Sequence, residues 1–193
     1  IGVVGESGSG KTEFLKAVCG IQEMIPGITK GNILYNYNNS NFNMYVKNKE
    51  KYSLNSDHKK IKKDLIGFIP QDPKSFLNPY WTIEQLFSQT YKLSNQTKSF
   101  DDFLMYYLKL GGIEDGGKFR NKRPSQLSGG QAQRVMIALV LSKKPNLIIA
   151  DEISTGLDVS RQKHIIKSFE NIRKEIPDLT IIFISHDFGF LSH

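Results

Sequence analysis

The sequence has little of what disulfide-linked, membrane-spanning or disordered proteins are made of. It contains one cysteine, Cys19, so no disulfide can form within the chain, which suits a reducing compartment. No apolar run approaches the roughly 20 residues that cross a bilayer, and no basic-then-apolar signal sequence opens the chain. With 39% hydrophobic and 23% charged residues, the 193 residues are expected to fold as one domain around a sizeable core. Any membrane role is expected to come through a partner.

Acidic residues are outnumbered, since 26 Lys and Arg stand against 19 Asp and Glu and give a net charge of +7. Such a balance is compatible with nucleic acid, an anionic membrane face or a polyanionic ligand, and does not choose among them. The densest basic stretch, residues 58–63, has no interleaved aromatics that could stack on bases. We interpret it as solvated surface and expect no nucleic-acid partner.

Apolar runs and helical patterns alternate along the chain and predict an α/β fold. Uninterrupted apolar strands separated by helices are typical of a mostly parallel sheet covered on both faces. The predicted strands are Ile1–Val4, Asn32–Tyr35, Leu65–Pro70, Leu147–Ala150 and Leu179–Ile184. The predicted helices are Lys11–Gln22, Thr82–Leu93, Phe100–Leu110, Ala132–Leu141 and Val159–Glu175.

One side of the first predicted helix is expected to be apolar, and it carries Phe14, Leu15, Val18 and Ile21. Residues 36–56 lack a clean period, which favours a surface hairpin or loop.

The whole chain, 1–193, is expected to be one domain with a core of residues 1–72 and 144–193. Residues 73–143 are expected to form an inserted helical subdomain.

A glycine-rich loop follows the first strand and opens the first helix. Its residues match G-x-x-x-x-G-K-[ST] in full: Gly5, Glu6, Ser7, Gly8, Ser9, Gly10, Lys11 and Thr12. Glycines let the backbone amides fold around phosphate oxygens, and the helix dipole adds positive charge. Lys11 is expected to reach the β- and γ-phosphates of a nucleotide, and the Thr12 hydroxyl to bind Mg²⁺.

Two adjacent acids end the apolar run at 147–150, at the sheet edge where ligands of parallel α/β folds bind. Asp151 is expected to hold the Mg²⁺ shell, and Glu152 to polarise an attacking water. Taken alone, the pair is equally typical of a helix start. His186 ends the neighbouring strand and is expected near the γ-phosphate or that water, although a lone histidine is usually structural.

A serine–glycine turn precedes the helix at 132–141 and forms a second candidate anion site. Ser128 caps the helix, and the amides of Gly129, Gly130 and Gln131 point from its N-terminus. One triphosphate cannot readily occupy both phosphate sites of a single domain. The sequence therefore predicts two domains meeting head to tail, with two ATP molecules between them.

The order of these motifs resembles the ABC (ATP-binding cassette) ATPases over essentially the whole chain. The motifs are GESGSGKT, a glutamine after a strand, LSGGQ, LIIADE, TGLD and SH, in that order. The resemblance implies a P-loop NTPase fold, with ATP and Mg²⁺ as cofactors. It further implies that Gln71 contacts Mg²⁺ or water and senses the membrane partner, and that Asp158 communicates across the dimer.

A finer resemblance is to the peptide and nickel importer ATPases. It is carried by Ile69–Pro73, by Phe76–Pro79 and by Arg134–Ala138. Those proteins often have Met where this chain has Gln131, and usually Pro where it has Ile153. Relative to the family, the upstream strands with the adenine-stacking aromatic and the residues beyond 193 are expected to be missing, so the cassette is expected to be truncated at both ends.

The resemblance implies an ATP-hydrolysing transporter subunit at the cytoplasmic face of the membrane. Its implied partners are a second ATPase domain, identical or not, permease subunits and an extracytoplasmic solute-binding protein. The alternatives are a soluble ABC ATPase acting on a ribosome, DNA or a multienzyme partner, and a module that binds nucleotide without hydrolysis.

Overall fold

The computed structural model describes residues 1–6, 8–21, 28–37, 40–48, 51–56, 65–94, 97–154, 159–187 and 189. The chain forms two compact units. The sheet unit comprises Ile1–Val4 and Gly67–His193, and the loop unit comprises Gly5–Ile66. Among the described residues, no helix is both long enough and apolar enough to cross a membrane.

The described elements follow one another in the α/β order that the sequence predicts. They are β1 (Gly2–Val4), α1 (Lys11–Val18), β2 (Leu34–Tyr37), β3 (Ser40–Asn43), β4 (Tyr45–Asn48), β5 (Lys51–Leu54), β6 (Ile66–Ile69), α2 (Pro73–Phe76), α3 (Ile83–Leu93), α4 (Phe100–Leu110), α5 (Gly116–Phe119), a 3₁₀ turn (Pro124–Gln126), α6 (Gly129–Leu141), β7 (Leu147–Asp151), α7 (Val159–Glu175) and β8 (Thr180–Ser185).

A four-stranded sheet, in the order β1-β8-β7-β6, forms the centre of the sheet unit. Strand β8 pairs in parallel with both β1 and β7, with Val3 opposite Ile184 and Ile149 opposite Ile182. Ile148, Ile149 and Ala150 of β7 are fully buried, as their unbroken apolar run predicts. The prediction of a mostly parallel α/β sheet is confirmed.

The middle of the sheet unit is helical, and side-chain caps set where its helices begin. Thr82 and Gln85 form a capping box at α3, and Ser99 accepts from the Asp102 amide at α4. Arg120 of the segment after α5 contacts Glu84 of α3 and Asp101 of α4. A core of buried apolar residues holds these helices together, including Phe87, Phe103, Leu104, Leu108, Val135 and Leu141.

The loop unit contains α1 and two antiparallel hairpins, β2–β3 and β4–β5. The expectation of a surface hairpin or loop at 36–56 is wrong in part, because Met44 and Tyr45 are almost fully buried between the hairpins. Pairs of four-residue strands leave too few positions for a readable alternation of apolar and polar residues.

Helix α1 is shorter and less one-sided than predicted. It ends at Val18, and Gly20 follows with a φ of +64°, whereas Gln22 lies outside the described residues. Leu15 and Val18 are buried as expected, but Phe14 and Ile21 are exposed. The apolar stripe therefore covers one helical turn, because the chain leaves the helix before Ile21. Cys19 is buried, in line with a structural role.

Candidate functional site

The phosphate-loop motif forms a left-handed turn at the start of α1 in the loop unit. Gly8 and Gly10 have φ values of +81° and +91°, a region that glycine enters without cost. A methyl group built on either residue would meet no heavy atom within 4 Å, so the space beside both is open. The amide of Ser9 donates to the Glu6 carbonyl at 3.2 Å and closes the turn. Ser7 lies outside the described residues.

Lys11 lies against the loop it follows. Its Nζ donates to the carbonyl oxygens of Gly5 at 2.7 Å and Glu6 at 2.8 Å, and the residue is buried. The ammonium group is therefore fixed at the mouth of the turn rather than extended into solvent. Thr12, the next residue, is exposed. An exposed hydroxyl beside a cation at a helix N-terminus suits a metal–phosphate ligand.

Strand β7 delivers the two predicted acids at its end. Asp151 is half-buried and lies opposite Ile184 of β8. Glu152 comes next with a φ of +47°, in the left-handed region that non-glycine residues rarely occupy. Its amide still donates to the Ile184 carbonyl at 2.9 Å. The chain thus leaves the strand at Glu152 while remaining hydrogen-bonded to β8.

Three of the predicted residues meet at the Glu152 carboxylate. Gln71 Nε2 donates to Glu152 Oε2 at 3.1 Å, and His186 Nδ1 lies 3.8 Å from Oε1. The three residues follow β6, β7 and β8, which are neighbours in the sheet. The Glu152 side chain is 25% exposed and that of His186 is 53% exposed. A carboxylate steadied by an amide and faced by an imidazole can accept a proton from a water molecule.

The serine–glycine turn caps α6 through a capping box. Ser128 Oγ accepts from the Gln131 amide at 3.2 Å, and Gln131 Oε1 accepts from the Ser128 amide at 3.0 Å. A methyl group at Gly129 or Gly130 would meet no heavy atom within 4 Å. The departure to Gln131 therefore has a structural use, since a methionine could not close this box.

A cavity of about 550 Å³ in the sheet unit connects several of these features. Its lining combines the loop after β6 with the start of α2, the serine–glycine turn with the first turns of α6, the residue after Glu152, and part of α7: Gln71, Asp72, Pro73, Ser128, Gly129, Gly130, Gln131, Gln133, Arg134, Ile137, Ile153, Ile165 and Ser168. Gln71 therefore borders both this cavity and the Glu152 carboxylate.

Sequence reasoning missed the side chains that hold the turn after β7. Gln133 Nε2 donates to the Ile153 carbonyl at 2.9 Å, and the buried hydroxyls of Ser154 and Ser185 lie 3.5 Å apart. Nothing in the local pattern around Gln133 indicates a partner 20 residues further on. Asp158 and the basic stretch 58–63 lie outside the described residues.

Comparison with known sequences relates the chain to proteins of ABC transporters. The family described as "ABC transporter" matches residues 1–155. The metal-staphylopine import system ATP-binding protein CntD of Staphylococcus aureus is 34% identical over 97% of this chain and 65% of its own length. The oligopeptide transport ATP-binding protein OppD of Bacillus subtilis is 37% identical over 100% of this chain and 52% of its own length. The chain thus spans half to two thirds of the length of these relatives.

Comparison with solved structures gives the same fold. A dimeric post-hydrolysis structure of the ATP-binding cassette MJ0796 bound to ADP and Pi has a TM-score of 0.73 and 28% identity, covering 98% of this chain and 75% of that one. CbiO1 from Clostridium perfringens, part of the ABC transporter complex cbiONQ, has a TM-score of 0.74 and 26% identity, covering 96% and 66%. The expected P-loop fold is confirmed, and the chain belongs to the ABC transporter family.

Proposed function

We propose that this chain is the ATP-binding and ATP-hydrolysing subunit of an ABC importer for a peptide, nickel or a similar small solute. The observation that carries the proposal is the convergence of Gln71 and His186 on the Glu152 carboxylate, at 3.1 and 3.8 Å. A nucleotide-binding module without hydrolysis has no need of a carboxylate placed between an amide and an imidazole.

The loop at 5–12 is the proposed cradle for the nucleotide phosphates. Its left-handed glycines leave the space beside the turn open, and Lys11 holds its charge there. Thr12, Asp151 and Gln71 supply the hydroxyl, carboxylate and amide oxygens that Mg²⁺ prefers. When bound, Mg²⁺ would neutralise phosphate charge. These residue types fit the ion.

Hydrolysis is assigned to the cluster around Glu152. Glu152 would orient and deprotonate the attacking water, while Gln71 keeps one carboxylate oxygen in place. His186 lies on the side of the other oxygen and would stabilise charge that develops on the phosphate. Because phosphoryl transfer depends mainly on positioning, small shifts of the carboxylate are expected to cost much of the rate.

The serine–glycine turn is proposed to bind the nucleotide of a second ATPase domain. Ser128 and the amides of Gly129 and Gly130 sit at the N-terminus of the 13-residue helix α6, with open space beside both glycines. The Gln131 amide, which donates to the Ser128 hydroxyl in this structure, completes the proposed site. The similar cassette MJ0796 is dimeric in its ADP-bound structure. Closure of such a dimer would drive transport, and Asp158 is proposed to communicate across it.

The proposed domain organisation separates a catalytic core from the helical middle of the chain. Residues 1–72 and 144–193 would form the catalytic core and residues 73–143 the helical subdomain, which is supported by α2–α6 lying consecutively between β6 and β7. The relatives named for oligopeptide and metal-staphylopine import support permease partners, a solute-binding protein and a place at the cytoplasmic membrane face. Recovery of the tagged protein with ribosomes or DNA, instead of polytopic membrane subunits, would contradict transport.

The test of hydrolysis is Glu152→Gln, which keeps the size of the side chain and removes the base. We expect ATP turnover to fall by about three orders of magnitude, with the Kd for MgATP within about twofold of wild type. Glu170→Gln, at an exposed position of α7, is the matched control and should keep full turnover. Wild-type turnover in Glu152→Gln would show that the assignment is wrong.

A further inference from the structure

The turn after β7 is tied to the sheet by two contacts with β8. The Glu152 amide donates to the Ile184 carbonyl at 2.9 Å. The hydroxyls of Ser154 and Ser185, both nearly inaccessible to solvent, lie 3.5 Å apart. These contacts fix both ends of the turn against a rigid strand.

A third contact reaches the same turn from the helical side. Gln133 Nε2 donates to the Ile153 carbonyl at 2.9 Å, and Ile153 itself is buried. Gln133 belongs to α6, the helix that begins at the Ser128 capping box. Because an α-helix moves as a unit over so short a distance, Gln133 follows any movement of the serine–glycine turn.

The start of the turn, at Glu152, has an unusual backbone conformation. Glu152 has a φ of +47°, a conformation that is strained for a non-glycine residue and persists only when its surroundings hold it. Without a donor, the Ile153 carbonyl would be left to find another partner, and the peptide could rotate. Rotation there would carry the Glu152 carboxylate away from Gln71 and His186.

We propose that Gln133 is a positioning residue that couples the serine–glycine turn to the Glu152 carboxylate. This inference rests on the proposed function, in which Ser128 contacts the nucleotide of a second domain and Glu152 acts on the nucleotide of its own. The bond from Gln133 then links the two nucleotide sites of a dimer. Occupation of one site would set the geometry of the base at the other.

The test uses Gln133→Met, which has nearly the same shape and cannot donate, and Gln133→Glu, whose carboxylate repels the Ile153 carbonyl. We expect kcat for ATP to fall about tenfold in Gln133→Met and at least as far in Gln133→Glu. KM and the Kd for MgATP should stay within about twofold, and the Hill coefficient for ATP should fall towards one. The matched control is Gln89→Met, at an exposed position of α3, which should keep wild-type kinetics.

Two results would overturn the proposal. One is wild-type kcat and Hill coefficient in both Gln133 variants. The other is a loss of kcat together with weaker nucleotide binding and a lower melting temperature, because a residue that only maintains the fold would affect all three. Glu152→Gln, assayed in parallel, separates the two levels. If it hydrolyses ATP normally, the proposed function fails. If it is inactive while the Gln133 variants behave as wild type, only the coupling fails.

Discussion

Two tyrosine hydroxyls bind the C-terminal end of α1, and removing each should cost a different amount of stability. Tyr35 Oη donates to the Val18 carbonyl at 2.5 Å, and Tyr45 Oη donates to the Ala17 carbonyl at 3.0 Å. The Ala17 carbonyl also accepts from the Gly20 amide at 3.1 Å, whereas Tyr35 is the donor found for Val18 within the described residues. Tyr45→Phe therefore removes one of two bonds, and Tyr35→Phe leaves a carbonyl without its donor.

The loss of unfolding free energy should be about twice as large for Tyr35→Phe as for Tyr45→Phe. We expect a loss of about 1 kcal/mol for Tyr45→Phe and about 2 kcal/mol for Tyr35→Phe, which leaves a desolvated acceptor. In a chain of this length these losses lower Tm by about 2–4 °C and 4–8 °C, measurable by circular dichroism.

The control for this pair is Tyr80→Phe, since the Tyr80 side chain is 81% exposed and loses its hydroxyl at little cost. If Tyr35→Phe melts with Tyr80→Phe, or if Tyr45→Phe is the more damaging of the two, the counting of carbonyl partners is refuted. Urea unfolding at one temperature gives the same ordering independently of ΔCp.

Two more outcomes are expected. Gly129→Ala should keep or slightly raise Tm, because the new methyl meets no heavy atom within 4 Å and alanine favours helix. The same methyl should lower kcat, because it narrows the approach to the serine–glycine turn. A normal kcat would contradict the proposed role of that turn. Burial, with Tyr106 nearby, raises the pKa of Tyr107 to about 12. In the unfolded chain the phenol ionises near pH 10, so the contribution of the neutral, buried phenol to the free energy of unfolding is complete below about pH 10. That contribution is lost as the pH rises towards 12. Tyr107→Phe should therefore flatten the decline in unfolding free energy over that range.

The sequence predicted the longer strands and helices and the sheet edge at which Glu152 and His186 meet. Long apolar runs and the full phosphate-loop pattern identified β7, β8 and α1, and the common edge of parallel strands brought Glu152 and His186 to one place. Such features depend on local spacing, which a single sequence displays directly.

The contacts that the sequence did not predict are long-range or conformational. The Gln133 bond to Ile153 joins α6 to the turn after β7, and the φ of Glu152 depends on the contacts that hold this turn. Tyr45 is buried in a small apolar cluster to which residues of both hairpins contribute, and no periodic pattern in the sequence indicates this cluster. The exposure of Phe14 likewise depends on how much of α1 the other elements cover, and the sequence of the helix alone does not determine that.

Gln71 lies two residues after β6, whereas Glu152 and His186 directly follow β7 and β8, and these three strands are neighbours in the sheet. The separation of neighbouring strands, about 4.8 Å by backbone geometry alone, thus sets how far apart these three side chains begin. A substitution deep in β7 or β8 that alters sheet twist is therefore expected to shift these side chains and to slow the proposed hydrolysis. Screens for inactive variants should include those apolar interior positions alongside the polar edge.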